Sequence, residues 1–171
     1  MPTTLAVDRS DLVVPGRTSG YSLDGERFAN APYIEISEAG GAGSMRGDAP
    51  DLVLWHQALI AGRIVGRDAL AFLMSPGRLR DGRLASANRF SPSDANYGEV
   101  QYGGGLLLSP AGQKPRTISH NGFINGFAAV LETSLDSGVS FAVLANADVG
   151  PSLPFRDVRK AVRAFESGIG A

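Results

Sequence analysis

Two apolar runs separated by a tight polar turn constrain this chain more than anything else in it. Residues 126–134 (GFAAVLETS) and 139–147 (VSFAVLANA) lie on either side of Asp136-Ser137-Gly138, a hairpin turn in composition. Neither run alternates apolar with polar residues. Apolarity sustained over a strand length means burial on both faces, so the sheet must be covered by layers on two sides. Upstream, 102–109 (YGGGLLLS) and 116–120 (RTISH) read as two further strands.

The covering layers read as helices. Asp48 has the form of an N-cap with Pro50 in the first turn, and Leu52, Trp55 and Leu59 recur at helical spacing, which predicts a helix over roughly 49–61. A shorter helix is predicted over 66–75, with Leu70, Leu73 and Met74 inward and Pro76-Gly77 ending it. Residues 154–166 form a last helix with Val158, Ala161, Val162 and Phe165 on one face, expected to cover one side of the sheet. Residues 1–47 are loop-rich, with turn signals at Pro15-Gly16 and Asp24-Gly25. Gly40-Gly41-Ala42-Gly43-Ser44 is expected to be a tight turn before a helix. It is not read as a phosphate loop, because no Gly-Lys-Ser/Thr follows. Residues 77–98 are a polar excursion whose Arg78, Arg80, Arg83 and Arg89 mix with Asp81 and Asp94, the pattern of a solvated loop.

The organisation expected from 171 residues is one α+β domain (an α/β sandwich), an antiparallel sheet flanked by helices. Its parts are loop-rich 1–47, helical 48–76, antiparallel strands within 102–147 and the helix 154–166.

Composition removes several function classes. A net charge of −1 leaves no electrostatic footprint for nucleic acid or an anionic membrane. No apolar run approaches the roughly 20 residues that span a bilayer. Residues 1–10 lack a basic stretch followed by an apolar one, so no secretory leader is expected within the chain, and the compartment is undetermined. There is no cysteine, and two histidines offer no recognisable metal-ligand set, so no metal or cofactor is expected. His56 stands beside the apolar stripe of the first helix with no partner motif and reads as a packing or surface residue.

The stretch Ser119 to Phe127 (SHNGFINGF) places His120, Asn121 and Gly122 among aromatics just before an apolar strand. A glycine within a strand lets another backbone or a ligand lie close to it. Ser119 next to His120 is not a nucleophile–base pair, because adjacent strand residues point to opposite faces.

Taken in order, "GGAGSM" before a helix with a central tryptophan, "YGGGLLL", "SHNGFINGF" and "FAVLANA" resemble the C-terminal half of the serine β-lactamase and penicillin-binding-protein superfamily. The similarity is to its class C-like esterases, D-aminopeptidases and D-alanyl-D-alanine carboxypeptidases, and it covers nearly the whole chain. The resemblance implies a partial β-lactamase/transpeptidase-like fold. It implies that His120-Asn121-Gly122 matches the family's Lys/His-Thr/Ser-Gly motif on the strand lining the substrate cleft. His120 would then bring positive charge or a hydrogen bond near the substrate, Asn121 a polar contact in place of Thr/Ser, and the backbone N–H of Phe123 one arm of an oxyanion hole. Removing one such donor costs about 3–4 kcal/mol in barrier. Tyr102 matches the tyrosine before the family's glycines and is read as structural. The expected ligand is a small ester, amide or peptide.

The family's nucleophile motif is missing. Ser-x-x-Lys requires serine three residues before lysine, yet Ala111 precedes Lys114 and Asp157 precedes Lys160, the chain's two lysines. Tyr-x-Asn is absent too. Ser86-Ala87-Asn88 has the alternative Ser-x-Asn form but sits in the polar excursion and is read as coincidence. The chain thus looks like the second half of a longer hydrolase, inactive alone. The alternative is a non-catalytic binding or interaction module. Without the family's first strands, the strand 139–147 would present Phe141, Val143 and Leu144 on an open edge, which predicts homo-oligomers formed through it.

Overall fold

A computed structural model describes residues 4–6, 12–85, 100–148 and 155–169. The first described elements are β1 (Leu5–Ala6), β2 (Tyr21–Asp24), β3 (Arg27–Asn30), a 3₁₀ segment (Ile36–Ala42) and β4 (Met45–Arg46). Two helices follow, α1 (Ala49–Ile60) and α2 (Arg67–Leu73). Then come β5 (Gln101–Tyr102), β6 (Leu107–Leu108), β7 (Thr117–Ile124), β8 (Phe127–Ser134), β9 (Ser140–Ala145), β10 (Ala147–Asp148) and α3 (Phe155–Ile169).

The main sheet has the order β5-β6-β7-β8-β9; the chain also forms a three-stranded sheet β10-β2-β3 and the pair β1-β4. β7 and β8 are sheet neighbours joined by Asn125-Gly126 alone, a link short enough only for antiparallel strands. Gly126 has φ +76°, which a non-glycine residue rarely adopts. β8 turns into β9 through Gly138, whose N–H donates to the Ser134 carbonyl at 2.9 Å.

The chain divides into two compact units. In the unit formed by Trp55–His120 and Leu131–Phe141, the core is Leu106, Leu108 and Ile118, with Ile60, Leu73, Met74 and Leu135 packed against it. Leu73 and Met74 at the end of α2 thus pack on these strands as expected, while α1 contributes Ile60 to this cluster and not the expected Leu52, Trp55 or Leu59. Each fully buried aliphatic side chain contributes roughly 1.5–3 kcal/mol. A surface cluster ties the start of β7 to the β8–β9 turn. The Arg116 N–H and Nε donate to the Asp136 carboxylate at 2.9 and 2.8 Å, and Lys114 Nζ lies 3.4 Å away. The Arg116 backbone N–H, then its side chain, hold the Asp136 pKa down to about 2.

The other unit comprises Met1–Leu54, Asn121–Val130 and Ala142–Ala171. The start of α1 lies here, and its cap is as expected: Asp48 Oδ1 accepts from the Asp51 N–H at 2.9 Å. Asp51 is buried and accepts from both the N–H and the hydroxyl of Thr4, each at 3.0 Å. A pocket of about 300 Å³ is lined by Tyr21, Phe28, Asn146 and Ala147.

Several sequence expectations need correction. Residues 102–109 are two short strands, because Gly105 at φ +78° and the bond from Gly103 N–H to Leu106 O turn the chain between them. The strand expected over 116–120 runs on to Ile124. The loop-rich start contains the β2–β3 hairpin, turned by Gly25 at φ +61°. Gly40–Ala42 end a 3₁₀ segment broken at Gly40, and β4 intervenes before α1. β8 is buried at most positions, but β9 ends the sheet and is only half-buried, with Leu144 40% exposed. Covering layers thus reach one of the two apolar strands more fully than the other. On α3, Ala161 and Phe165 are exposed, so the expected covering face is not buried at those positions. Ser86-Ala87-Asn88, Arg89 and Asp94 lie outside the described residues.

Candidate functional site

β7 emerges from the core and then changes character. Its ladder with β6 pairs Leu108 with Ile118 and Leu107 with Ser119. Ile118 is 1% exposed. From there His120, Asn121, Gly122 and Phe123 follow in succession, and all four are exposed. Phe123 is a large aromatic left 43% exposed.

The two glycines of SHNGFINGF do different jobs. A Cβ placed on Gly122 would meet nothing within 4 Å, and its backbone is not left-handed. Gly122 therefore leaves open space beside the strand without being required by the backbone. Gly126 is the opposite case. A Cβ there would lie 2.6 Å from Ala31 Cβ and 2.6 Å from the Gly20 carbonyl carbon. The hairpin tip is thus seated on the Gly20–Ala31 backbone, and Asn125 Nδ2 adds a bond to the Pro32 carbonyl at 3.3 Å. That seat steadies the end of β7 carrying Asn121 to Phe123.

His120 is held from another strand. Its Nε2 lies 3.0 Å from the Tyr102 hydroxyl, and the rings meet edge to face at 65°. Tyr102, read from sequence as structural, therefore touches the motif histidine. Its "YGGG" context marked it, but spacing alone could not show a bond across 18 residues.

His56 meets the expectation of a packing residue. It is 1% exposed, with Nδ1 2.8 Å from Thr133 Oγ1, which in turn lies 2.8 Å from Ser140 Oγ. Burial lowers its pKa to about 4, so it is uncharged at neutral pH. Ser119 is half-buried on the β6 ladder. Among the described residues, no group of three or more His, Cys, Asp or Glu side chains could hold a metal ion. None of their helices is long and apolar enough to cross a membrane.

An antiparallel sheet backed by helices fits the fold of the serine β-lactamases and penicillin-binding proteins. The chain belongs to the beta-lactamase family, whose sequence profile matches residues 3–165. Among solved structures it is similar to a D-stereospecific amidohydrolase from Streptomyces sp., at 25% identity and a TM-score of 0.64 over 86% of this chain and 40% of that one. It also resembles D-amino acid amidase from Ochrobactrum anthropi SV3 complexed with L-phenylalanine amide, at 20% identity and a TM-score of 0.71 over 98% of this chain and 47% of that one. A third likeness is to an octameric penicillin-binding protein homologue from Pyrococcus abyssi, at 18% identity and a TM-score of 0.65 over 88% of this chain and 31% of that one. The chain spans less than half the length of each of these structures. No curated protein matches it.

Proposed function

We propose that this chain supplies the substrate-binding wall of a serine amide or ester hydrolase that works through an acyl-enzyme. The observation carrying this reading is the exposed run His120–Phe123 on β7, with open space beside Gly122. A substrate carbonyl laid along this stretch places its oxygen near the Phe123 backbone N–H, where negative charge develops in the tetrahedral intermediate. Asn121 offers a side chain that both donates and accepts. His120 offers a hydrogen bond, or a positive charge when protonated, to a substrate polar group.

The nucleophile is not among these residues, since neither lysine has a serine three positions earlier. Without it no acyl-enzyme forms on this chain alone. The similarity to D-amino acid amidases makes a D-amino-acid amide, such as D-phenylalanine amide, the first ligand to try. The purified chain is expected to leave nitrocefin and p-nitrophenyl esters unhydrolysed above the buffer rate. Turnover that survives repurification and disappears on His120→Ala would overturn the assignment of a wall without a nucleophile.

A second reading, an interaction module that self-associates, is favoured by one observation. Among the described strands, β9 closes the sheet order with Leu144 40% exposed, the arrangement of an edge that can pair with a second copy. Sedimentation at micromolar concentration is expected to show dimers or larger species. A strictly monomeric boundary contradicts this second reading and leaves the first intact.

A further inference from the structure

We propose that the pocket on the small sheet β10-β2-β3 is a second ligand site, suited to a small molecule with a flat aromatic ring that carries an N–H donor. Its walls are Tyr21, Phe28, Asn146 and Ala147, so it stands on other residues than the run His120–Phe123.

The register of the sheet puts the walls on one face. Tyr21 pairs with Asn30 and Leu23 with Phe28 on β3, and Tyr21 pairs with Ala147 on β10. Tyr21 and Phe28 are therefore diagonal neighbours whose side chains leave the same face. Diagonal neighbours stand about 7–8 Å apart. That spacing is two carbon contacts of about 3.5–4.0 Å each, so one flat ring fits between the aromatic walls. Ala147 offers only a methyl group beside Tyr21 and leaves the space on the β10 side unfilled. The resulting cavity is about 300 Å³, at the small end of ligand clefts. Phe28 is 61% exposed, an apolar surface that a bound ring would remove from water.

Asn146 adds a polar group whose direction is settled. Its Nδ2 donates to Thr18 Oγ1 at 3.1 Å and to the Ser19 carbonyl at 3.2 Å. A backbone carbonyl can only accept, so the amide nitrogen faces Thr18 and Ser19. Oδ1, an acceptor with two lone pairs, faces away from them and is left for a ligand donor. The Asn146 carbonyl also accepts from the Tyr21 N–H at 3.1 Å, which fixes this residue to the start of β2. The segment it grips is packed in turn. A Cβ on Gly20 would lie 2.5 Å from the Phe127 ring and 3.0 Å from the Gly126 carbonyl oxygen. All of these residues belong to one compact unit. The acceptor is thus held in place before any ligand arrives, which is the support a binding side chain needs.

Two rings and one oriented acceptor specify the occupant. A saturated chain would gain burial but not the ring-on-ring contact that the walls offer. A ring without a donor would cover Oδ1 and leave it unpaired. A ring that carries an N–H meets both needs.

The test is a titration of the nitrogen-labelled chain with indole, which has the ring and the N–H. Saturable shifts at millimolar concentration are expected at Tyr21, Phe28, Ala147 and Asn146, the Asn146 side-chain amide included. No saturable shift up to the solubility limit of indole, or shifts centred elsewhere, overturns the proposal. Benzofuran tests the acceptor while leaving the protein as it is, because it puts an oxygen where indole has its N–H. Binding weaker by roughly three- to tenfold is expected, and equal affinity overturns the proposal. Phe28→Ala removes one wall at an exposed position, and the indole shifts are expected to vanish from an otherwise unchanged spectrum. Indole shifts that survive in folded Phe28→Ala overturn the proposal, and the two ligands decide the matter on the unsubstituted protein if that variant misfolds. N-acetyltryptophanamide bound more tightly than indole would assign the pocket to a side chain of a partner polypeptide and overturn a free small molecule as its ligand. Failure of this proposal leaves the reading of β7 untouched, since the two rest on different residues.

Discussion

The surroundings of His56 and of His120 form a natural experiment on one side-chain type within one compact unit. His56 is 1% exposed and bonded to a threonine hydroxyl that is itself bonded to a serine. His120 is exposed and touches the hydroxyl of Tyr102. Burial makes the first ring a neutral packing element. The second remains accessible to solvent and ligand. A residue type names a chemistry, and its surroundings decide whether that chemistry is used.

The contrast is sharpest along β7, where Ile118 and His120 are two positions apart. Ile118→Ala is expected to lose about 2–5 kcal/mol of stability, read as a lower urea midpoint, because it opens a hole in a filled core. His120→Ala, on the exposed part of the strand, is expected to stay within about 0.5 kcal/mol of the parent. Similar losses from both would erase the distinction between core strand and site strand.

Next in size is the pair of glycines. Gly126→Ala sets a left-handed backbone and a close approach to Gly20 and Ala31 against a new methyl group, and roughly 2–4 kcal/mol should be lost. Gly122→Ala meets open space and should change stability little. Equal thermal shifts would contradict the different roles given to the two.

Acid should act through His56 before Asp136. His56 has a folded pKa of about 4, below its usual 6.5, so the unfolded chain binds this proton more readily. Its contribution is complete above about pH 6.5 and is lost as the pH falls toward about 4, by on the order of 3 kcal/mol at the extreme. His56→Gln should flatten that slope in denaturation curves taken across this window. Asp136, held at about 2 against an ordinary 3.8, contributes stability above its ordinary value that disappears as pH falls through about 2. Asp136→Asn should remove the pH dependence below 3.8 and leave the His56 window untouched. This is the smallest of the expected effects, because the cluster lies at the surface.

Much of this architecture was legible in the sequence. The apolar runs fixed β8 and β9 as a hairpin, and the Asp48 cap and leucine spacing fixed α1. The family motif placed His120 to Phe123 on one strand. Other features depended on information a linear pattern lacks. β9 is as apolar as β8 but ends the sheet, and composition cannot tell an end from a centre. Asn125-Gly126 did carry a strong local signal, the dipeptide most typical of two-residue hairpins, and it explains why the strand continues past His120. The bond from Tyr102 to His120 depends on the register of three strands, which no local pattern encodes.

The central claim is that the space beside Gly122 on β7 receives an amide or ester ligand. Titrating the nitrogen-labelled chain with D-phenylalanine amide tests it most directly, with Gly122→Leu as the variant that fills the space without backbone strain. The account predicts saturable shifts centred on His120, Asn121 and Phe123, and their loss in folded Gly122→Leu. Shifts confined to other parts of the chain, or a response that Gly122→Leu leaves unchanged, would contradict it.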